Sequence, residues 1–337
     1  FHADKDVSLQ QDLLRRDLTI NAMAEDKQGN LIDPYNGLND LQQGILRHIS
    51  PAFAEDPVRI LRIARFAARY GFQIAPETMH LMQNMVSAGE VNALVPERVW
   101  QELAKGLMEK QPRRMIETLR ACGALEIILP EIAALFGVPQ RADFHPEIDS
   151  GEHTLLTLQY AAEHDYCLEE RYAALTHDLG KAITPSQLLT HHYGHDAAGI
   201  KPLQALNQRW NVPKNCAQLA LLSCTYHIQL HSVSQLKPRT VMKILHKTDA
   251  IRRPQRFLQI LRVCMADARG RAGFQNKDYP QLQHWQKLQQ AATNIDAAAI
   301  AQAQTRPELI ATAIDQARLQ QITPIQNAYR QTHAPSH

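Results

Sequence analysis

The chain has 337 residues, of which 45% are hydrophobic and 21% charged, a composition typical of globular proteins with two or three domains. Its formal net charge of +2 is too small to indicate nucleic-acid binding, so such a surface would have to be a local basic stripe. Scattered cysteines without a C-x-x-C pair argue against a disulfide framework, and without a long apolar run or a signal peptide we expect a cytoplasmic protein with no membrane partner.

The first 50 residues predict short strands and helices, and the rest of the chain is helical almost throughout. Near the N-terminus we expect a strand over 30–35, a glycine-closed helix over 37–44 and a second strand over 45–49. The following helices are expected over 55–70, 78–88, 97–108 and 112–122. A segment rich in Pro, Asp and Gly over 137–150 predicts a boundary, beyond which lie most of the histidines.

Two polar motifs precede residue 70. The first is R-R-D-L-T-I-N-A over 15–22, and the second is E-D-P-V-R-I-L-R-I-A-R-F over 55–66. On a helix the polar residues of the second motif recur every third position and form one stripe, consisting of Asp56, Arg59, Arg62 and Arg65. Apolar residues occupy the opposite face and can pack, namely Ile60, Leu61, Ala64 and Ala68.

This stripe has the chemistry to bind nucleotides. Arginine presents a planar fork that binds phosphate bidentately, and a neighbouring carboxylate adds an acceptor that can pair with a base edge. The alternative is a solvated helix face with ion pairs three residues apart. The adjacent Arg-Arg-Asp cluster favours nucleotides or other anions.

Residues 13–72 closely resemble bacterial CCA-adding tRNA nucleotidyltransferases and the related bacterial poly(A) polymerases. The resemblance implies that the incoming nucleoside triphosphate is contacted by Arg16, Arg62 and Arg65. It implies that Asp17 reads the ribose, that Asn21 belongs to the same nucleotide-binding set, and that Asp56 and Arg59 select CTP and then ATP.

The same family uses a Gly-Gly-x-Val-Arg-Asp loop and a D-x-D pair to hold its metals, and the printed sequence contains neither in that form. Asp4-Lys5-Asp6 matches D-x-D by letter only, and we interpret it as a surface stretch. We therefore expect that the family's metal-binding head motifs lie upstream of Phe1 and that the chain is N-terminally truncated.

A second constellation surrounds the His177-Asp178 dipeptide, which is followed by Leu-Gly-Lys181. His153 lies upstream and Asp267 downstream, which completes the order H…HD…D. Imidazole and carboxylate ligands suit divalent first-row metals, and a metal so held can activate water towards phosphorus. The alternative is that an isolated His-Asp pair occurs by chance and that these histidines only pack.

The order resembles the HD superfamily of metal-dependent phosphohydrolases. The resemblance implies four core metal ligands, His153, His177, Asp178 and Asp267, and two further ligands of two-metal members, His195 and His227. Asp178 and His177 would also be catalytic, and Lys181 would neutralise a substrate phosphate. Lys181 could instead be a helix-end lysine. The segment from Arg269 to Phe274, just beyond Asp267, could contact a phosphate near this site, but we prefer to interpret it as a helix-terminal turn. The tryptophans are interpreted as packing residues.

Together the two resemblances imply a mainly α protein that begins with the remnant of an α/β nucleotidyltransferase head. The implied domains are a head remnant over 1–50, a helical neck and body with RNA-binding residues over 51–149, an all-α HD domain over 150–251, and a helical tail over 252–337 that supplies Asp267.

The implied function is template-independent addition and repair of the 3′-terminal CCA of tRNA with CTP, ATP and Mg²⁺. A phosphohydrolase with a divalent transition metal such as Ni²⁺ is the implied second activity, acting on 2′,3′-cyclic phosphates, 2′-nucleotides and phosphate monoesters. Because the metal-binding head motifs are missing from the printed sequence, we expect only the hydrolase to remain active in this chain. The alternatives are a poly(A) polymerase-like enzyme, a stand-alone HD phosphohydrolase and an inactive tRNA-binding fragment. A monomer and a homodimer both remain open.

Overall fold

Helices dominate the computed structural model, which describes residues 8–141, 143 and 146–333. This confirms the mainly α class. The first half contains α1 Leu9–Leu14, α2 Gly37–Gln43, α3 Val58–Tyr70, α4 Pro76–Ser87, α5 Pro96–Leu107, α6 Pro112–Ala121, α7 Leu125–Ile128 and α8 Pro130–Ala133. The second half contains α9 Ser150–Glu163, α10 Leu168–Thr176, α11 His195–Ala198, α12 Ile200–Arg209, α13 Lys214–His231, α14 Pro238–Lys247, α15 Pro254–Arg269, α16 Pro280–Thr293, α17 Ala297–Gln302 and α18 Pro307–Thr332.

Among the described residues the strands are short and lie in the N-terminal region. β1 (Ala24–Glu25) pairs antiparallel with β2 (Leu31–Ile32), and β3 (Ile45–Leu46) pairs parallel with β4 (Gln73–Ile74). The strands predicted over 30–35 and 45–49 are therefore confirmed but shorter than expected. The Asp4-Lys5-Asp6 stretch lies outside the described residues.

Local sequence explains where many helices begin. Eight of the helices in the described chain have proline as their first residue, where the missing N–H costs nothing and the fixed φ suits the helix. The helix predicted over 55–70 starts later, at Val58, because residues Pro51–Glu55 form a 3₁₀ turn and Asp56 is extended. Gly44 ends α2 with a left-handed φ of 68°, as the glycine-closed helix requires.

The apolar core extends across the predicted domain boundaries. One contiguous cluster of buried residues runs from Leu18 to Ile322, and the predicted packing tryptophans contribute to it or contact it. The domain division stays a prediction. None of the helices in the described ranges is both long and apolar enough to cross a membrane.

Two sets of packed helices position the candidate functional residues. In the N-terminal half α3 packs against α5 and α6. In the C-terminal half α9, α10, α13 and α15 pack against one another. Arg171 on α10 links the two sets, since its guanidinium donates hydrogen bonds to the carbonyl oxygens of Leu107 and Glu109.

Candidate functional site

A cavity of about 520 Å³ lies beside the first turns of α3, and we call it the α3 cavity. Five of its lining residues are arginines and two are aspartates, so its lining has a positive formal charge. The residues come from the end of α1, the turn after it, α3 and α5: Arg15, Arg16, Asp17, Asn21, Asp56, Arg59, Arg62, Phe66 and Arg98. Such a lining favours an anionic ligand.

Asp17 holds Arg62 in this cavity. The buried Asp17 carboxylate accepts a hydrogen bond from Nε of Arg62 at 2.7 Å, and from the Asn21 amide and the Leu18 N–H at 3.0 Å each. The terminal nitrogens of Arg62 have no hydrogen-bond partner within the described residues. The Asp17–Arg62 pair therefore orients a guanidinium whose remaining donors are available to an anion.

Asp56 has a partner that the sequence did not reveal. Arg98 on α5 donates two hydrogen bonds to its carboxylate, at 3.1 and 2.6 Å. Burial alone raises the pKa of Asp56, but the Arg98 contact outweighs it and the net pKa lies below the usual value. Arg59 donates instead to the carbonyl oxygens of Ala52 and Arg15. The predicted base-reading pair thus lies in the cavity, with each member fixed by another contact.

Arg65 differs from its predicted role. It does not line the α3 cavity, and its Nε donates to buried Glu102 at 2.6 Å. Its guanidinium also lies 4.4 Å from the centre of the Phe66 ring. The three-residue spacing drifts around the helix, which takes the fourth member of the stripe into the packed interface. Its contact with a triphosphate stays a prediction.

A second group of side chains, which we call the histidine–aspartate cluster, forms where α9, α10, α11, α13 and α15 meet. Helices α9, α11, α13 and α15 supply His153, His195, His227 and Asp267, and His177 with Asp178 directly follows the end of α10. All are buried. Gly180 permits this assembly, because a Cβ there would overlap the carbonyl oxygen of His195.

The cluster divides into two sets of three donor atoms, each within 4.8 Å of one another. One set is His153, His177 and Asp267, and the other is Asp178, His195 and His227. Nε2 of His177 and both carboxylate oxygens of Asp178 are buried without a well-formed hydrogen bond in the described chain, although charged groups lie near them. Buried polar atoms in this condition fit cation binding.

Backbone carbonyls fix the tautomers of the cluster histidines. Nδ1 of His177 lies 2.9 Å from the carbonyl oxygen of Ala174, and Nδ1 of His195 lies 2.7 Å from that of His192. Since a carbonyl oxygen can only accept, each Nδ1 carries the hydrogen and each Nε2 of the neutral ring presents a lone pair. This arrangement is typical of metal-binding histidines.

Both aspartates of the cluster are held ionised. Burial raises the pKa of Asp178, but its electrostatic interactions with His177 and Lys181 outweigh that effect and hold the pKa well below its usual range. Burial likewise opposes ionisation of Asp267, and nearby His231 and Arg271 overcome it, so its pKa is also well below the usual range.

Several residues near the cluster were not predicted as site residues. His231 Nε2 lies 2.7 Å from Asp267, Glu147 lies 2.9 Å from Nδ1 of His153, and Gln140 accepts a hydrogen bond from Lys181 at 2.5 Å. The contacts of His231 and Gln140 join residues 36 and 41 positions apart, whereas Glu147 lies six positions before His153. His231 could have been found from its position four residues after His227, which places both on one face of α13.

Lys181 and Arg271 are the cations beside the cluster. Lys181 Nζ lies 2.6 Å from Asp178, and Arg271 lies 3.1 Å from Asp267. Both line a cavity of about 440 Å³, and Asp178, His195 and Asp267 also line it. Arg271 follows the end of α15 as expected, but it also contributes to this cavity.

Known proteins match this chain along nearly its whole length. Residues 2–47 match a poly A polymerase head domain family, and residues 71–136 match a family described as a probable RNA- and SrmB-binding site of polymerase A. A multifunctional CCA protein of Neisseria meningitidis serogroup B is 62% identical over 333 residues, which is 98% of this chain and 80% of the relative.

Solved structures show the same fold. The complex of a CCA-adding enzyme with CTP superposes with a TM-score of 0.64 at 19% identity, covering 96% of this chain and 71% of that one. The Thermotoga maritima CCA-adding enzyme complexed with tRNA gives a TM-score of 0.60 at 18% identity, covering 96% of this chain and 74% of that one. By its similarity to the Neisseria protein over nearly its whole length, this chain belongs to the family of multifunctional CCA proteins.

Proposed function

We propose that this protein is a tRNA nucleotidyltransferase that adds and repairs the 3′-terminal CCA, and that the α3 cavity binds its CTP and ATP. The observation that carries this proposal is the excess of arginine over aspartate in the cavity, together with the Asp17–Arg62 pair. The relatives named above are CCA proteins, and one structural neighbour was solved with CTP.

Each cavity residue has a proposed part in binding. Arg16 and Arg62 bind the triphosphate, because guanidinium groups make bidentate contacts with phosphate. Asp56 and Arg59 select the base by hydrogen bonds to its edge, and Asp17 and Asn21 lie where a ribose can be contacted. Mg²⁺ would neutralise the triphosphate during transfer.

The tRNA 3′ end is the proposed acceptor. Residues 71–136 match a family described as RNA-binding, and a structural neighbour was solved with tRNA. This region follows α3 directly, so an RNA bound along α4 to α8 would lie next to the α3 cavity.

Titration calorimetry of this chain with CTP and ATP tests the nucleotide site. Arg62→Ala should weaken both nucleotides by roughly 10-fold or more, because a charge-assisted contact is lost. Arg69→Ala is the matched control, since Arg69 is an arginine on the same helix outside the cavity. Equal affinity in the two variants would contradict the assignment.

As a second activity, we propose that the histidine–aspartate cluster binds divalent metal and hydrolyses phosphate esters. The carrying observation is the two sets of three donor atoms, with Lys181 and Arg271 lining the same cavity. His153, His177 and Asp267 would hold one ion and Asp178, His195 and His227 a second. Transition metals such as Ni²⁺ suit these imidazole-rich sets.

A bound divalent metal would activate water and withdraw charge from the phosphate. The water oxygen bonds to phosphorus, the P–O bond to the ribose or other alcohol breaks, and the departing oxygen takes a proton. Lys181 and Arg271 bind and orient the phosphate oxygens. The proposed substrates are 2′,3′-cyclic phosphates, 2′-nucleotides and simple phosphate monoesters.

Metal add-back tests this second activity. The protein is stripped with a chelator and then assayed with Mg²⁺, Mn²⁺, Co²⁺ and Ni²⁺ separately. Hydrolysis should return with at least one metal, and His177→Ala should abolish it. His164→Ala, which removes an exposed histidine outside the cluster, should not. Absence of hydrolysis with every metal would contradict the proposed second activity.

A further inference from the structure

Tyr193 is the most exposed large apolar side chain in the described part of the chain. Its fractional exposure is 74%, against 57% for Ile183, the next highest. It is also part of the lining of the cavity that exposes Asp178, Lys181 and Arg271. An aromatic ring left in water at the edge of a candidate phosphate site requires an explanation, because burying it elsewhere would be favourable.

The loop that carries Tyr193 is firmly anchored. The buried His192 lies with Nδ1 2.8 Å from the Thr184 hydroxyl and Nε2 2.9 Å from the carbonyl oxygen of Pro139. A backbone bridge between Gln140 and Thr190 fastens the loop a second time. Both anchors lie just before Tyr193 in the chain and hold the backbone from which its exposed side chain extends.

The backbone of this loop is also strained. Thr190 has a φ of 72°, in the left-handed region that β-branched residues rarely enter, and His192 shares this region with a φ of 50°. Such strain persists where surrounding contacts enforce it, and it concentrates at ligand-binding sites. Here it places Tyr193 beside the cavity and turns its ring away from the core.

His191 extends the exposed aromatic surface. Its ring lies 5.4 Å from that of Tyr193, centre to centre, with 27° between the planes, and it lines the same cavity. Two nearly parallel rings beside a pair of cations match a ligand with a flat π-system at one end and a phosphate at the other. A nucleotide has this form.

We propose that Tyr193, supported by His191, is a base-stacking platform that makes the hydrolytic site prefer nucleotides to phosphate esters without a base. This inference rests on the proposed phosphohydrolase and specifies its substrate class. The base stacks on Tyr193 while Lys181 and Arg271 hold the phosphate. Because every base has a π-face, the platform should favour none of the four bases strongly.

Binding can be measured without turnover. Calorimetry compares adenosine 2′-monophosphate with glycerol 2-phosphate, both on metal-free protein carrying Arg62→Ala so that the α3 cavity contributes little. Tyr193→Ala should weaken the nucleotide by about 5- to 150-fold, the effect of losing one stacked base, and leave glycerol 2-phosphate unchanged. Tyr193→Phe should keep the nucleotide affinity. Leu189→Ala, in the same loop but outside the cavity lining, is the control.

Steady-state kinetics gives a second measure. Tyr193→Ala should raise KM for a nucleoside 2′,3′-cyclic phosphate with little change in kcat. Unchanged nucleotide affinity and KM, or equal losses for the two ligands, would overturn the platform. The wild-type protein could show no hydrolysis while its nucleotide binding still depends on Tyr193. That result would support the stacking platform and contradict the proposed phosphohydrolase.

Discussion

The Nε2 atoms of His195 and His227 lie 3.1 Å apart inside the protein. Nδ1 of His227 lies 2.9 Å from the carbonyl oxygen of Cys224, and Nδ1 of His195 lies beside that of His192, so both neutral rings direct lone pairs at each other. Burial lowers the pKa of His227, which keeps that ring neutral near pH 7. Two facing lone pairs repel, and a cation shared with Asp178 relieves the repulsion.

Divalent metal should therefore raise the melting temperature of chelator-treated protein. At 100 times the dissociation constant the gain is about 2.7 kcal/mol, or several degrees. His227→Gln should remove the part of this gain that comes from the ion held with Asp178 and His195. It should also stabilise the metal-free protein, because the glutamine amide can donate to His195. Differential scanning fluorimetry measures both effects. A full metal response in His227→Gln, with His164→Gln as control, would contradict the ligand assignment.

Asp17 should control nucleotide affinity through Arg62. Asp17→Asn removes the charge that orients this guanidinium, so CTP and ATP should both bind roughly 10-fold more weakly. Arg62→Lys should also bind both nucleotides more weakly than the wild-type protein, because an ammonium lacks the planar fork. Calorimetry on the two variants measures the effect, and a loss confined to one nucleotide would place these residues among the base readers.

Arg98 should affect the choice of base. It holds the Asp56 carboxylate by two hydrogen bonds, so Arg98→Ala should reduce the preference for CTP and ATP over UTP and GTP more than it reduces triphosphate affinity. Each misplaced base contact costs about 1–3 kcal/mol. Competition binding with all four nucleotides tests this. Gln101→Ala on the exposed side of α5 is the control, and unchanged selectivity in Arg98→Ala would contradict the prediction.

Arg65 should act on stability. Arg65→Ala leaves Glu102 as a buried charge that only Lys105 partly offsets, and breaking a buried pair from one side costs about 3–5 kcal/mol. Urea unfolding should show this loss, and Arg65→Met combined with Glu102→Leu should recover much of it. If Arg65→Ala had normal stability but bound CTP more weakly, the result would support the triphosphate contact predicted for Arg65 from the sequence.

His284 should make the protein less stable in mild acid. The amide of Gln326 donates to the carbonyls of Val233 and Leu236, so its oxygen faces His284, which donates from Nε2 and stacks on Tyr329. Burial lowers the pKa of His284 below its ordinary value of 6.5. The unfolded chain then binds more protons, so stability falls as the pH drops below about 6.5.

The loss cannot exceed about 1.4 kcal/mol per pH unit for one group. Unfolding free energies of wild-type protein and His284→Gln, measured from pH 7.5 to 5.5, isolate this contribution from those of other histidines. The unfolding free energy of the wild-type protein should fall more steeply with decreasing pH than that of His284→Gln. Equal slopes would show that His284 is not the titrating group.

Local sequence predicted the site residues that lie in continuous motifs. The order H…HD…D predicted His153, Asp178 and Asp267 as site residues, and the structure places them in one cluster. The stripe on α3 was predicted from helical periodicity, and its apolar face is buried as expected. The stripe depends on spacing within one helix, whereas His153 and Asp267 lie 114 positions apart and were predicted from the resemblance to the HD superfamily.

Contacts between distant segments could not be predicted from the local sequence. The Asp17–Arg62 pair and the Asp56–Arg98 pair join residues 45 and 42 positions apart, and nothing local marks their partners. Arg65 differed for a related reason, because the tertiary packing of α3 against α5 decides which side of the stripe meets Glu102.

One crossed measurement tests most directly whether the chain carries two separate sites that bind phosphate groups. CTP affinity and metal-dependent hydrolysis of a nucleoside 2′,3′-cyclic phosphate are measured together on Arg62→Ala and Asp178→Asn. We expect Arg62→Ala to bind CTP more weakly and keep hydrolysis, and Asp178→Asn to lose hydrolysis and keep its affinity for CTP. Loss of both properties in either folded variant, or of neither in both, would contradict it.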